Sequence, residues 1–274
     1  MGIGVGLGMA RFPFAATHNF WRWVELCERG GVDSLWQTDR LVSEEPFLEC
    51  MTALAAIAGA TKHLKFGMNV ASVALRDPLV LAKQCATIDF LSGGRLLPAF
   101  GIGADTAPEW AATGRGTQGR GARTDEGLDI IARLWRGERV STDGEHYRYR
   151  DAVIAPLPVQ QPLPLWIGGS SEAAIRRTVR FGTGFFVHFG ALDDPVCQRE
   201  LRRFQRAAPN ADLGHLLAVG EEAILAAIAA YAREGIAKFI LRPLAETDAE
   251  LLDHSQRLID RVLPRVAEIP LRAD

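Results

Sequence analysis

Short apolar runs alternate with longer amphipathic stretches along the whole chain, and this rhythm limits the fold more than any other feature. Runs at 3–7, 32–38, 64–71, 95–103, 163–169, 185–189, 215–220 and 237–241 predict strands. Stretches at 18–29, 47–60, 78–91, 123–136, 172–181, 195–205, 222–233 and 247–266 predict helices. In the first helix Phe20, Trp23, Val24 and Cys27 share one face, and Gly30-Gly31 stops it. A helix after every strand implies a parallel sheet, because parallel neighbours need a crossover. Eight such units in 274 residues match a (β/α)8 TIM barrel, which typically takes about 250 residues. An open doubly wound sheet competes, but it gives no reason for eight strands. Two segments break the rhythm as insertions: a Gly-rich stretch at 104–121, after strand 4, and a Pro-containing connection at 137–162, before strand 5. With no Ser/Gly linker, residues 1–274 read as a single domain.

Composition removes several function classes. The formal net charge is -2, so no nucleic-acid partner is expected. The longest uncharged run, 152–171, carries four prolines and cannot be a spanning helix, so no membrane is expected either. Cys27, Cys50, Cys85 and Cys197 form no CxxC pair, and the opening MGIGVGLGMARF lacks a basic segment. The expectation is a soluble, cytoplasmic protein. The six histidines show no HxH or HExxH spacing, so no metal site is expected. GxSxG and GxxxxGK[ST] are absent, and a dinucleotide fingerprint fails twice, at Met9 after Gly4 and Gly6 and at Thr106 after Gly101 and Gly103. A barrel without these groups often takes its chemistry from an organic cofactor.

The segment KFGMNVASVALRDPLVLAKQCATIDFLSGGRLLPAFGIG (65–103) resembles the core of the luciferase-like monooxygenase superfamily, the bacterial luciferase-like flavin and coenzyme F420-dependent oxidoreductases. GGVDSLWQTDR (30–40), RTDEGLDIIARLWRGE (123–138) and IAPLPVQQPLPLWIGGSSEAAIRR (154–177) support the resemblance, which runs to about residue 190. Beyond it only IAKFILRP (236–243) matches, so the resemblance implies a reduced seventh unit. It further implies F420 or FMN as cofactor, with F420 preferred, a small organic substrate and a homodimer. Leu54, Ile57 and Leu81 are apolar residues available to such a dimer, or to the core. A non-prolyl cis peptide is implied between Asn69 and Val70. Several superfamily members carry a histidine where this chain has Arg40, and the luciferases carry an arginine where it has Ala104. Arginine stays protonated at neutral pH, so Arg40 suits an anionic group rather than proton abstraction.

Barrel ligands are met at the C-terminal ends of the strands. Those ends hold Thr38, Asp39 and Arg40; Asn69 and Val70; Gly101 and Gly103; Gly168, Gly169, Ser170 and Ser171; and His188. Their glycines leave room for a flat ring, and the WIGGSS turn opens into a helix whose free N–H groups suit a phosphate. Ser170 or Ser171 caps that helix, binds the phosphate, or does both. Asp39 is the candidate acid, or one half of a rim ion pair with Arg40. His188 is a third catalytic candidate, or a hydrogen-bonded strand residue. Trp36 stacks near the ring or fills the core, and Glu109 with Trp110 is a candidate lid. Arg11, Arg40, Arg76, Arg115, Arg120 and Arg123 lie on mouth loops, where charge-assisted contacts would suit the anionic tail of F420. The competing functional reading is a non-catalytic flavin-binding or degenerate barrel protein.

Overall fold

The computed structural model describes residues 2–9, 11–169, 171–181, 184–189, 213–216, 220–243 and 245–271, with backbone alone at 184–189 and 213–216. β1 (Gly4–Gly8) pairs in parallel with β2 (Ser34–Gln37), and β2 with β3 (Lys65–Met68). The third stave breaks at the Asn69–Val70 peptide, which is cis, and resumes as β4 (Ala71–Ser72). The fourth is divided into β5 (Leu96–Leu97) and β6 (Ala99–Gly101) by Pro98, which has no N–H to give the ladder. An antiparallel ribbon follows, β7 (Val140–Asp143) with β8 (Arg148–Ala152). The ring continues through β9 (Trp166–Gly168), β10 (Gly184–Phe189), β11 (Leu213–Leu216) and β12 (Lys238–Leu241). Since β12 returns to pair with β1, and β3 and β4 meet β5 and β6, the parallel sheet closes into the expected barrel. Among the described residues the barrel sheet has no open edge.

The outer layer holds α1 (Thr17–Arg29), α2 (Cys50–Ala60), α3 (Pro78–Ser92), the short α4 (Glu109–Ala112), α5 (Arg120–Trp135), α6 (Glu172–Phe181), α7 (Glu221–Arg233) and α8 (Asp248–Arg257). After α8 the chain runs through a π-helical stretch, Leu258–Val262, into α9 (Leu263–Val266). Local chemistry sets several boundaries. α2 starts later than its apolar pattern because Glu49 is its N-cap, accepting from Thr52 N at 2.8 Å. Asp77 caps α3 ahead of Pro78, and Gly93 ends it in the left-handed conformation (φ 68°). Thr247 and Glu250 form a capping box at α8. Among the described residues no helix is long and apolar enough to cross a membrane. The helix expected at 195–205, and with it the expected reduction of the seventh unit, lies outside the described residues, as does Cys197.

Trp36 and Trp166 stack inside the barrel, ring centroids 5.2 Å apart, against Leu97, Ala99 and Ile240. Glycines on the flanking strands make this possible. A Cβ on Gly6 would fall 2.8 Å from Trp36 Nε1, and one on Gly67 would fall 2.1 Å from the Leu97 carbonyl oxygen and 2.7 Å from Trp36 Cζ3. Trp36 therefore belongs to the core and stays clear of the mouth cavity, which resolves its two readings. Below it Asp33 accepts from Lys65 at 3.0 Å and Lys238 at 2.9 Å, closing the opposite end of the barrel with charge. Leu54, Ile57 and Leu81 are buried between helix and barrel, so of their two readings the structure gives the core.

Candidate active site

A cavity of about 390 Å³ opens at the C-terminal mouth of the barrel, within the size range of small-molecule sites. Thr38, Asp39 and Arg40 reach it from the end of β2, Asn69, Val70 and Ser72 from the broken third stave, and Gly103 from beyond β6. Gly168 and Gly169 border it at the end of β9, and Ala104, Ala107 and Glu109 enclose it from the 104–121 segment. Thr38 ties two strand ends together, its hydroxyl donating to the Met9 carbonyl at 2.9 Å.

The glycines act differently from the sequence expectation. A Cβ on Gly101 would lie 2.8 Å from Val70 Cγ2, and one on Gly168 would lie 2.9 Å from Val70 Cγ1. The room they leave is filled by Val70 of the chain itself. Gly101 does not line the cavity; it sits beneath Val70, and the valine with Gly168 and Gly169 forms the platform that does. Gly103, at φ 73°, lets Ser72 and Trp110 approach closely.

Asp39 is engaged on both oxygens. Arg76 grips it bidentately at 2.6 and 2.8 Å, Ser72 N donates at 3.2 Å, and the Cys50 thiol donates at 3.2 Å. Arg76 also reaches Glu49 at 3.2 Å. Burial, and then the neighbouring Asp39 charge, push the Cys50 thiol up. Burial works against the Arg76 charge, yet Asp39 and Glu49 outweigh it and raise the guanidinium. Asp39, Glu49 and Cys50 bring ligand-type atoms within 4.8 Å of one another, and the cation they hold is the guanidinium of Arg76. Asp39 thus pairs with Arg76 and not with Arg40, and Arg76 is not free for a ligand's tail.

Arg40 faces the other way, toward Glu109, at 3.5 Å. Glu109 is only 4% exposed, and its Oε2 has no partner among the described residues. Asn69 Nδ2, also buried and bordering the cavity, has none either. A donor and an acceptor are therefore left unsatisfied at one cavity, where buried polar groups are normally paired. The segment carrying Glu109 is docked, since Trp110 is buried against Ala74 and Leu75 and donates to the Ala104 carbonyl at 2.7 Å.

Ser171 caps α6, accepting from Ala174 N at 3.2 Å. Ser170 lies outside the described residues. The backbone of His188 sits in β10, in register with His215, and its side chain lies outside the described residues. Arg242, just beyond β12, was not singled out by the sequence. Its Nε is buried with no partner among the described residues, and burial lowers its pKa. Its only sequence signal was a basic residue at the end of a strand.

The sequence profile of the family described as luciferase-like monooxygenase matches residues 5–264. The chain belongs to this family. An F420-dependent glucose-6-phosphate dehydrogenase of Beutenbergia cavernae is 34% identical to this family member over 175 residues, 60% of this chain and 51% of that protein. The chain spans about half the length of the curated relatives it matches, 46% and 51% for two of them. Monooxygenase RslO1 of Streptomyces bottropensis superposes with a TM-score of 0.80 at 18% identity, over 97% of this chain and 100% of that one. An F420-dependent secondary alcohol dehydrogenase in complex with an F420–acetone adduct gives 0.78 at 16% identity, over 97% and 99%. The two structures share the luciferase-like barrel with this chain.

Proposed function

We propose that this chain is an oxidoreductase that binds F420 in the mouth cavity, with FMN as the alternative ligand, and acts on a small organic substrate. The observation that carries the reading is the pair of unsatisfied groups, Asn69 Nδ2 and Glu109 Oε2, at a cavity floored by Val70 and bordered by Gly168 and Gly169. Ligand sites combine such an apolar surface with a few convergent polar groups. When bound, the cofactor supplies the hydride chemistry that these side chains lack.

The chain's own residues bind, orient and move a proton. Asn69 Nδ2 offers a hydrogen bond into the cavity. Glu109 exchanges a proton with the substrate through Oε2, and Arg40 holds its other oxygen. In this assignment Glu109 replaces Asp39 as the proton-transfer group, because the Asp39 oxygens are already committed. Asp39 instead fixes Ser72 N, and so the stave that carries Val70. Gly169, with φ 127°, turns the backbone between β9 and α6, whose N-terminal dipole favours an anionic group. We further propose a homodimer, in which α3 presents Val80, Phe90 and Leu91, all more than half exposed.

Titration with F420 and with FMN, at low and high salt, tests the reading. F420 should bind more tightly, with an affinity that falls as salt rises, because charge-assisted contacts are screened. Tight FMN binding with negligible F420 affinity would overturn the cofactor assignment. Failure of reduced F420 to turn over with any acceptor would favour a non-catalytic barrel.

A further inference from the structure

Three half-buried arginines, Arg115, Arg120 and Arg123, gather where the end of the 104–121 segment enters α5, beside the turn of the β7–β8 ribbon. None of them borders the mouth cavity. Their acidic neighbours do not neutralise them. Arg120 reaches Asp105 only at 3.8 Å, and that carboxylate is 68% exposed. Arg123 contacts the Gly116 carbonyl at 3.5 Å, and neither Arg115 nor Arg123 meets a carboxylate among the described residues. Of the acids early in α5, Asp125 is taken by Arg177 at 2.6 Å, and the Glu126 oxygens accept from the backbone N–H groups of His146 and Tyr147, each at 3.0 Å.

The same place holds buried polar atoms without partners among the described residues: Arg120 Nε, His146 Nε2 and the Tyr147 hydroxyl. His146 Cε1 lies 3.8 Å from the Cβ position of Gly119, the residue before α5, and Tyr147 Cε2 lies 3.6 Å from that of Gly127. The orphaned atoms therefore line the first two turns of the helix. Arg120 Nε can only donate, and Tyr147 O–H and His146 Nε2–H in one tautomer can donate as well. Buried donors of this kind are normally satisfied, so three along the seam between the ribbon turn and the first two turns of α5 call for an acceptor. Gly119 provides no side-chain cap; the Arg120 N–H donates to the Thr117 carbonyl at 3.2 Å and that of Arg123 to the Gly119 carbonyl at 2.9 Å, so only the N–H groups of Gly121 and Ala122 at the start of this 16-residue helix add to the same demand.

We propose that Arg115, Arg120, Arg123, His146 and Tyr147 form an oxyanion site for a phosphate group, free or carried by a larger ligand. Arginine suits it because the guanidinium pairs with phosphate through parallel N–H bonds. An anion seated there would link the ribbon, α5 and the segment that encloses the cavity with Glu109. The site lies outside the cavity and does not depend on the cofactor assigned to it.

The test is calorimetric titration of the whole chain with inorganic phosphate and with glycerol 3-phosphate, without cofactor, at an ionic strength held constant with chloride. Wild type should bind one equivalent saturably. Arg123→Gln, which removes one charge-assisted contact, should weaken binding by about tenfold, and Tyr147→Phe by a smaller factor. Arg123→Lys, which keeps the charge, should fall between, and Arg29→Gln on distant α1 should bind as wild type does. Tighter binding of the ester marks a carried phosphate, and equal or weaker binding marks the free anion. Heats no larger than those of chloride, or an unchanged affinity in Arg123→Gln, would overturn the proposal. So would displacement of the phosphate by F420 or FMN, which would place it in the mouth cavity instead.

Discussion

Arg76 is the residue whose loss should be felt most widely. Its guanidinium is 11% exposed and the Asp39 carboxylate 4%, so the bidentate contact at 2.6 and 2.8 Å is made largely out of water. Arg76→Met keeps the length and apolar character of the stem but leaves Asp39 facing Glu49 and Cys50 with no cation. Removing one partner of a buried pair strands the other charge and costs about 3–5 kcal/mol. That is a large part of a typical stability of about 5–15 kcal/mol, and it should lower Tm by roughly 10 °C. Asp39→Asn should cost less, because Arg76 retains Glu49 and the amide oxygen can still accept from Ser72 N. The double variant Asp39→Asn/Arg76→Met removes the stranded charge, so it should lose less than the sum of the singles. Urea unfolding of the four proteins closes the cycle. A loss below about 1 kcal/mol in Arg76→Met, the range of exposed pairs, would refute the argument that this pair is desolvated and holds the mouth together.

The other expectations concern separate parts of the barrel. Gly168→Ala places a methyl group 2.9 Å from the stiff β-branched Val70, so it should cost about 1–3 kcal/mol and weaken cofactor binding; equal affinity would argue against the Val70 platform. Glu109→Gln should lower kcat by about a hundredfold or more, as loss of a proton-transfer group does, while leaving cofactor affinity near wild type; unchanged kcat would remove Glu109 from the chemistry. Burial raises the Asp33 pKa, but Lys238 and Lys65 outweigh it, and the net shift is downward. The stability this gives is complete above the ordinary carboxylate pKa and fades as pH falls through the lowered folded value. Unfolding between pH 6 and 3 should therefore show a shallower acid loss in Asp33→Asn than in wild type; identical slopes would refute the assignment. Light scattering should give the mass of a dimer, and Phe90→Asp with Leu91→Asp should give that of a monomer; a wild-type monomer would refute the α3 interface.

The barrel was legible because its signal is repetitive. Every unit restates the same contrast between a short apolar run and an amphipathic stretch, and periodicity integrates over many residues. The β7–β8 ribbon escaped because its strands are mostly polar: apart from the buried Val140, the residues of Val140–Asp143 and Arg148–Ala152 are partly or well exposed, so no apolar alternation marks them. Val140 anchors them in the main core, and Tyr147 at the turn packs toward Gly127 of α5. That contact between residues twenty apart is invisible to any local window.

The site shows a sharper division. Which strand ends face the cavity follows from the direction of the barrel, and Thr38, Asn69, Val70, Gly103, Gly168 and Gly169 duly border it. Which charge meets which does not follow from position along a strand. Asp39 and Arg40 lie beyond the end of β2 and both border the cavity, yet neither pairs with the other. Asp39 turns toward Arg76, thirty-seven positions on, and Arg40 toward Glu109 in the enclosing segment. The glycines carry the same lesson. A glycine at a strand end signals close approach, but only the neighbouring strand reveals what approaches. At Gly101 and Gly168 it is Val70, brought there by the broken third stave. Sequence therefore locates the mouth, and the cross-strand partners decide which of its residues are free to act.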